Sequence, residues 1–193
     1  MHKTLLLLLS SLFLFACCKS DDDIPTPDPN IPEIEKLPPA TQTGANTVGC
    51  LVNGMAFLPS GLLPVGGNSN PYCGYYHDSF VLSFSIIKHE NNTTAHGSES
   101  IAIYSSDTVL EQGGTYYLKD LDSSQTAAYK IVLSPSITYE TNNEYTGELH
   151  ITKLDKDNNI ISGTFWFNAI NEQGEVVEIR EGRFDMVFDG WAG

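Results

Sequence analysis

From Asn46 to Gly193 apolar residues recur mostly at every second position, and no window there carries a convincing 3.6-residue period of an amphipathic helix. In Phe80-Val81-Leu82-Ser83-Phe84-Ser85-Ile86, the residues Phe80, Leu82, Phe84 and Ile86 share one face of an extended strand. Ala127, Tyr129, Ile131 and Leu133 repeat the pattern, and so do Leu149 and Ile151. Gly, Asn, Asp and Ser interrupt the chain at strand-length intervals. The expectation is an all-β domain, an antiparallel β-sandwich with an open or closed β-barrel as the alternative.

The last forty-five residues are the most legible. Leu149 and Ile151 run into the polar turn Asp155-Lys156-Asp157-Asn158-Asn159, after which Phe165, Phe167 and Ala169 resume the alternation. A second turn at Asn171-Glu172-Gln173-Gly174, with Gly174 suited to a left-handed position, completes a three-stranded meander. In its third strand, Val177 and Ile179 have one parity, and Phe184, Met186 and Phe188 the other. One extra residue near Glu181-Gly182 places all five in the core, so a β-bulge is predicted there, with Gly182 taking positive φ.

The N-terminal third has a different character. Leu5 to Ala16 is an apolar-rich run after a single lysine, too short to span a bilayer and of the length of a signal-peptide core. Leu14-Phe15-Ala16-Cys17 resembles the lipobox of bacterial lipoproteins, which implies lipidation at Cys17. The following Lys19-Ser20-Asp21-Asp22-Asp23 resembles the surface-export signal of Bacteroidetes-type lipoproteins. Residues 18–45 then hold six of the ten prolines and few apolar residues, the composition of an extended spacer. The organisation expected is a signal peptide at 1–16, a lipidated acidic and Pro-rich tether at 17–45, and a β-domain at 46–193. The location expected is the outer membrane, lipid-anchored and facing the cell exterior.

Charge narrows the partners. Without residues 1–16 the chain keeps 9 basic and 24 acidic residues, a formal charge of 9 − 24 = −15. Such a chain repels phosphate backbones, so nucleic acid is excluded as a partner.

Cys50-Leu51-Val52-Asn53-Gly54-Met55-Ala56-Phe57, Gly163-Thr164-Phe165-Trp166-Phe167 and Glu181-Gly182-Arg183-Phe184 resemble an uncharacterised family of Bacteroidetes surface lipoproteins. The resemblance spans most of residues 46–188. It implies a β-rich extracytoplasmic domain and transfers no activity.

Few residues carry chemistry. Cys50 and Cys73 are the only cysteines of the domain, and export makes a disulfide between them the leading reading, with free thiols or a metal site at Cys73 and His77 as competitors. Two thiols and one histidine fall short of a structural zinc set. Asp155-Lys156-Asp157-Asn158-Asn159 begins like a calcium loop, but Ile160 and Trp166 stand where Gly and Glu are required, which leaves a hairpin turn. No metal or other cofactor is expected. Thr108, in Asp107-Thr108-Val109, fits a short bacterial O-glycosylation pattern.

Alternation places Trp166 on the outer face, with Glu148 and His150 beside it across the turn. An exposed indole flanked by polar groups suits a sugar ring or a protein partner. Tyr75 and Tyr76, in Tyr72-Cys73-Gly74-Tyr75-Tyr76, form a second aromatic candidate. No G-x-S-x-G elbow, H-E-x-x-H helix or phosphate-binding glycine loop occurs. The function expected is therefore a non-enzymatic surface lipoprotein that binds a glycan or an envelope protein. A structural envelope component and a secreted hydrolase are the alternatives.

Overall fold

A computed structural model describes residues 30–60, 69–76, 79–89, 96–120 and 122–189. Cys17 and His77 lie outside them, as do residues 1–16, expected to be a signal peptide, and the acidic string. The side chain of Tyr76 is likewise outside the description, although its backbone belongs to a strand.

Among the described residues eleven strands follow one another: β1 (Thr47–Val52), β2 (Met55–Phe57), β3 (Tyr72–Tyr76), β4 (Ser79–His89), β5 (His96–Ser105), β6 (Thr115–Leu118), β7 (Gln125–Val132), β8 (Ile137–Glu140), β9 (Gly147–Asp155), β10 (Ile160–Ile170) and β11 (Val176–Val187). The only helical element among the described residues is a short 3-10 turn at Glu33–Lys36. No described helix is long and apolar enough to cross a membrane.

The all-β, antiparallel expectation holds, and of its forms the open barrel is the one realised: the strands make one sheet curled into a half-barrel. The order is β2-β1-β11-β10-β8-β7-β5-β4-β3, with β9 beside β10 and β6 beside β9. Length explains why the sheet does not divide. β10 pairs β9 from Ile160 to Phe167 and then reaches β8 through Ile170 and Glu140, so one strand serves two neighbours in succession. Both ends of the order are covered. At β3 the Tyr75 amide donates to Asp189 O and the Asp189 amide to Cys73 O. At β2 the Ala56 amide donates to the Glu33 carboxylate.

The core is the concave face, and the predicted parity fills it. Phe80, Leu82, Phe84, Ala127, Tyr129, Leu149, Ile151, Phe165, Phe167 and Ala169 are all buried. Leu133 departs from its series and is exposed, because β7 ends one residue before it. Rings meet edge-on across the core, as between Phe57 and Phe84 at 5.7 Å, a geometry that contributes beyond area burial.

The bulge in β11 is present, with its parts reassigned. Phe165 faces Gly182 and Phe167 faces Ile179, so two steps on β10 span three on β11. Val177, Ile179, Phe184, Met186 and Phe188 are buried together as a result. Glu181, not Gly182, takes the positive φ of 55°. Gly182 is required for a different reason: a Cβ there would stand 2.5 Å from the Phe165 ring. The turn at Asn171 forms as expected, with Gly174 at φ 82° and the Asn171 side chain accepting from the Gln173 and Glu175 amides.

The compact unit begins at Pro32, so residues 32–45, assigned to the tether on composition, pack on the domain. Leu37 is buried. Asp185, 1 % exposed on β11, gathers this segment by accepting from Thr41 Oγ1, Thr43 Oγ1, the amides of Thr43, Gly44 and Ala45, and Ser162 Oγ. Burial would raise its pKa, but these donors prevail and hold the carboxyl well below the ordinary range.

Candidate functional site

The outer face of the sheet carries Trp166 at the centre of β10, 37 % exposed. Strand parity puts it there: Phe165 and Phe167 point into the core, and the residue between them must point out. Across β9, Trp166 pairs with Glu148 and Thr164 with His150, the neighbours expected from the sequence. One strand further, Tyr117 pairs with the same Glu148 and Thr115 with the same His150. Thr115 Oγ1 and His150 Nδ1 are hydrogen-bonded at 3.0 Å.

On the other side of Trp166, the bulge brings up Arg180. Its guanidinium carbon lies 5.6 Å from the indole centroid, a cation–π contact. Arg180 is fixed by donating through Nη1 to Phe167 O and Ile179 O and through Nη2 to Asn168 Oδ1. The indole is thus steadied on one side by a cation that is itself steadied by backbone. Arg183 donates through Nε to Glu181 O. Each guanidinium also has a carboxylate partner at 3.4 Å, Glu178 for Arg180 and Glu181 for Arg183. An open depression of about 480 Å³ results, bordered by Ala40, Thr164, Trp166, Arg180, Glu181 and Arg183. These are the only two arginines of the chain.

Sequence reasoning found Trp166, Glu148 and His150 and missed Tyr117, Arg180 and Arg183. A signal for Tyr117 existed: Tyr116 and Leu118 share one parity and Tyr117 the other. Tyr117 is accordingly 60 % exposed while Leu118 is buried. Arg180 reaches Trp166 only because the bulge displaces it, and that depends on the exact site of the extra residue.

The second aromatic candidate is placed differently. Tyr75 packs on the core, with its ring 5.8 Å from Phe80 and 6.3 Å from Phe188. Burial lifts its hydroxyl to about 12, against a backbone hydrogen bond at Leu110. It is a core residue with a polar tip, not an open platform.

Cys50 and Cys73 are free, buried thiols, without the bond that the sequence suggested. Cys50 sits in β1 opposite Phe57 and Cys73 in β3 opposite Leu82, and both contribute to the apolar core. Burial pushes both thiols far up, with Asp189 adding to the effect at Cys73. Each therefore behaves as a small hydrophobic side chain.

Asp155 terminates β9 as the hairpin reading requires, accepting from the Asn158 amide and side chain, with Asn159 at φ 55°. No group of three metal-ligating side chains occurs among the described residues. Thr108 lies half-buried after β5 and accepts from Gln125 Nε2 at 2.8 Å.

No curated protein and no solved structure matches the chain. A family model described as DUF6252, a domain of unknown function, matches residues 85–187, from within β4 to the end of β11. Of the three motifs noted in the sequence, Cys50–Phe57 lies outside the matched range and the other two lie within it. The match covers 103 of the 193 residues, and the chain belongs to this family of unknown function.

Proposed function

We propose that this chain is a surface lipoprotein, anchored through Cys17, whose β-domain binds a glycan on its outer face without catalysing a reaction. The observation that carries the reading is Trp166: a part-exposed indole, held by Arg180 and flanked by the hydroxyl of Thr164, the imidazole of His150 and the carboxylate of Glu148. An aromatic ring stacks on the C–H face of a sugar, and neighbouring donors and acceptors take its hydroxyls.

The site's electrostatics favour a neutral ligand. Both arginines are paired with glutamates, so the depression offers little net positive charge to an anion. Its openness suits binding more than chemistry.

A glycan array probed with the full chain tests the binding reading. Retention of one glycan class by the parent protein and its loss in Trp166→Ala is the expected result, and a blank array for both removes the reading. Incorporation of labelled fatty acid, abolished by Cys17→Ala, tests the anchor separately.

A further inference from the structure

We infer that the ligand is a linear, β-1,4-linked glycan chain lying across the strands, with alternate rings stacked on Trp166 and Tyr117. This rests on the glycan reading above and specifies its geometry.

Tyr117, Glu148 and Trp166 form one row, because Glu148 is the direct partner of both aromatics. Directly paired residues in an antiparallel sheet share a face. The two aromatics are therefore two strand spacings apart, about 10 Å. That is the separation at which alternate rings of an extended β-1,4-linked chain present the same face, since each ring is turned over relative to the last. Platforms at this spacing accept rings i and i+2. The ring between them lies over Glu148, which stacks on nothing but accepts hydroxyl hydrogen bonds.

A second row runs parallel to the first. Thr115, His150 and Thr164 are consecutive partners two residues along the same three strands, about 7 Å away. It supplies polar groups along one flank of the chain, and Arg180 with Asn168 closes the end beyond Trp166.

Twist decides between a single chain and a crystalline surface. Adjacent strands rotate by roughly 20–25°, so the two platforms are turned by about 45° relative to one another. A flat sheet of packed chains cannot meet both, whereas a single chain in solution twists to follow them.

The test uses the full chain carrying Trp191→Phe, so that Trp166 is the sole tryptophan reporter. Its fluorescence is titrated with β-1,4-linked hexamers and dimers of glucose, mannose, xylose and N-acetylglucosamine, and with maltohexaose as the α-linked control. One β-1,4 hexamer is expected to bind about tenfold or more tighter than its dimer. Tyr117→Ala should erase that gain while the dimer's affinity stays unchanged, a result that also excludes unfolding as the cause. In Trp166→Ala, calorimetry should find no binding by either ligand. Equal affinity for dimer and hexamer, equal binding of maltohexaose, or an unaltered Tyr117→Ala variant overturns the row while leaving a Trp166 glycan site intact. If no β-1,4 hexamer binds, the row falls, and the glycan array then shows whether the broader reading falls with it. Retention on microcrystalline cellulose without binding of any soluble hexamer also overturns the inference.

Discussion

The outer face of the β10–β11 pair has two ends made from similar materials and put to different use. At one end Ser162 and Asp185 are covered by residues 41–45, and every oxygen of the carboxylate is engaged. At the other end Thr164, Trp166, Arg180 and Arg183 border an open depression lined by none of residues 41–45, with Ala40 just before them at its border. Polar side chains on a sheet surface hold the fold together where chain crosses them and stay available for a ligand where it does not. The bulge at Glu181 lies in the open half, where it re-aims β11 against its neighbour.

The largest contrast is expected from the covered end. Asp185→Ala leaves six donors, one buried and five part-buried, without their acceptor and should cost about 3 kcal/mol, read as a lowered urea midpoint at unchanged slope. The same carboxylate should show in pH. Its folded pKa is depressed, so its stabilisation is present above the unfolded value of about 4 and is lost as pH falls below it. Thermal melts should fall steeply through that acid range in the parent protein and much less so in Asp185→Asn.

Next in size is the junction of the two ends. Gly182→Ala drives a Cβ into the Phe165 ring and the Phe165 carbonyl and should cost about 2 kcal/mol, measured by the same denaturation. Arg180→Ala removes the cation–π contact and three donors from partly exposed positions. It should cost about 1 kcal/mol, with Trp166 emission shifted to the red as the indole gains water. Trp166→Ala should change stability least, by less than about 1 kcal/mol, while abolishing ligand binding. If it instead destabilises as much as Asp185→Ala, the open end is structural and the contrast collapses.

Much of this was legible in the sequence because strand parity is a strict rule. Alternation alone placed Phe165 and Phe167 inside, Trp166 outside and Glu148 with His150 beside it. The parity switch between Ile179 and Phe184 demanded one extra residue. Alternation does not say which residue absorbs the bulge, since the choice of Glu181 depends on Gly182 being pinned beneath Phe165. It was equally silent on residues 32–45, whose proline content reads as spacer although Asp185, more than a hundred residues later, holds them down. Tyr75 is not legible in the same way, because an aromatic–glycine cluster looks the same in sequence whether it faces solvent or core. Only elimination matches the thiols of Cys50 and Cys73, and elimination carries no information about distance.

The carboxylate of Glu33 on the Ala56 amide has a consequence for assembly. An exposed edge strand is a template on which another chain can continue the ladder, copy after copy. At β2 that template is occupied by a side chain, which accepts one hydrogen bond from the strand and offers it no donor in return. At β3 the chain's own Asp189 takes the vacant place. The sheet therefore terminates itself at both ends of its order, and many copies held side by side would meet there as finished surfaces that resist fusing into a common fibre.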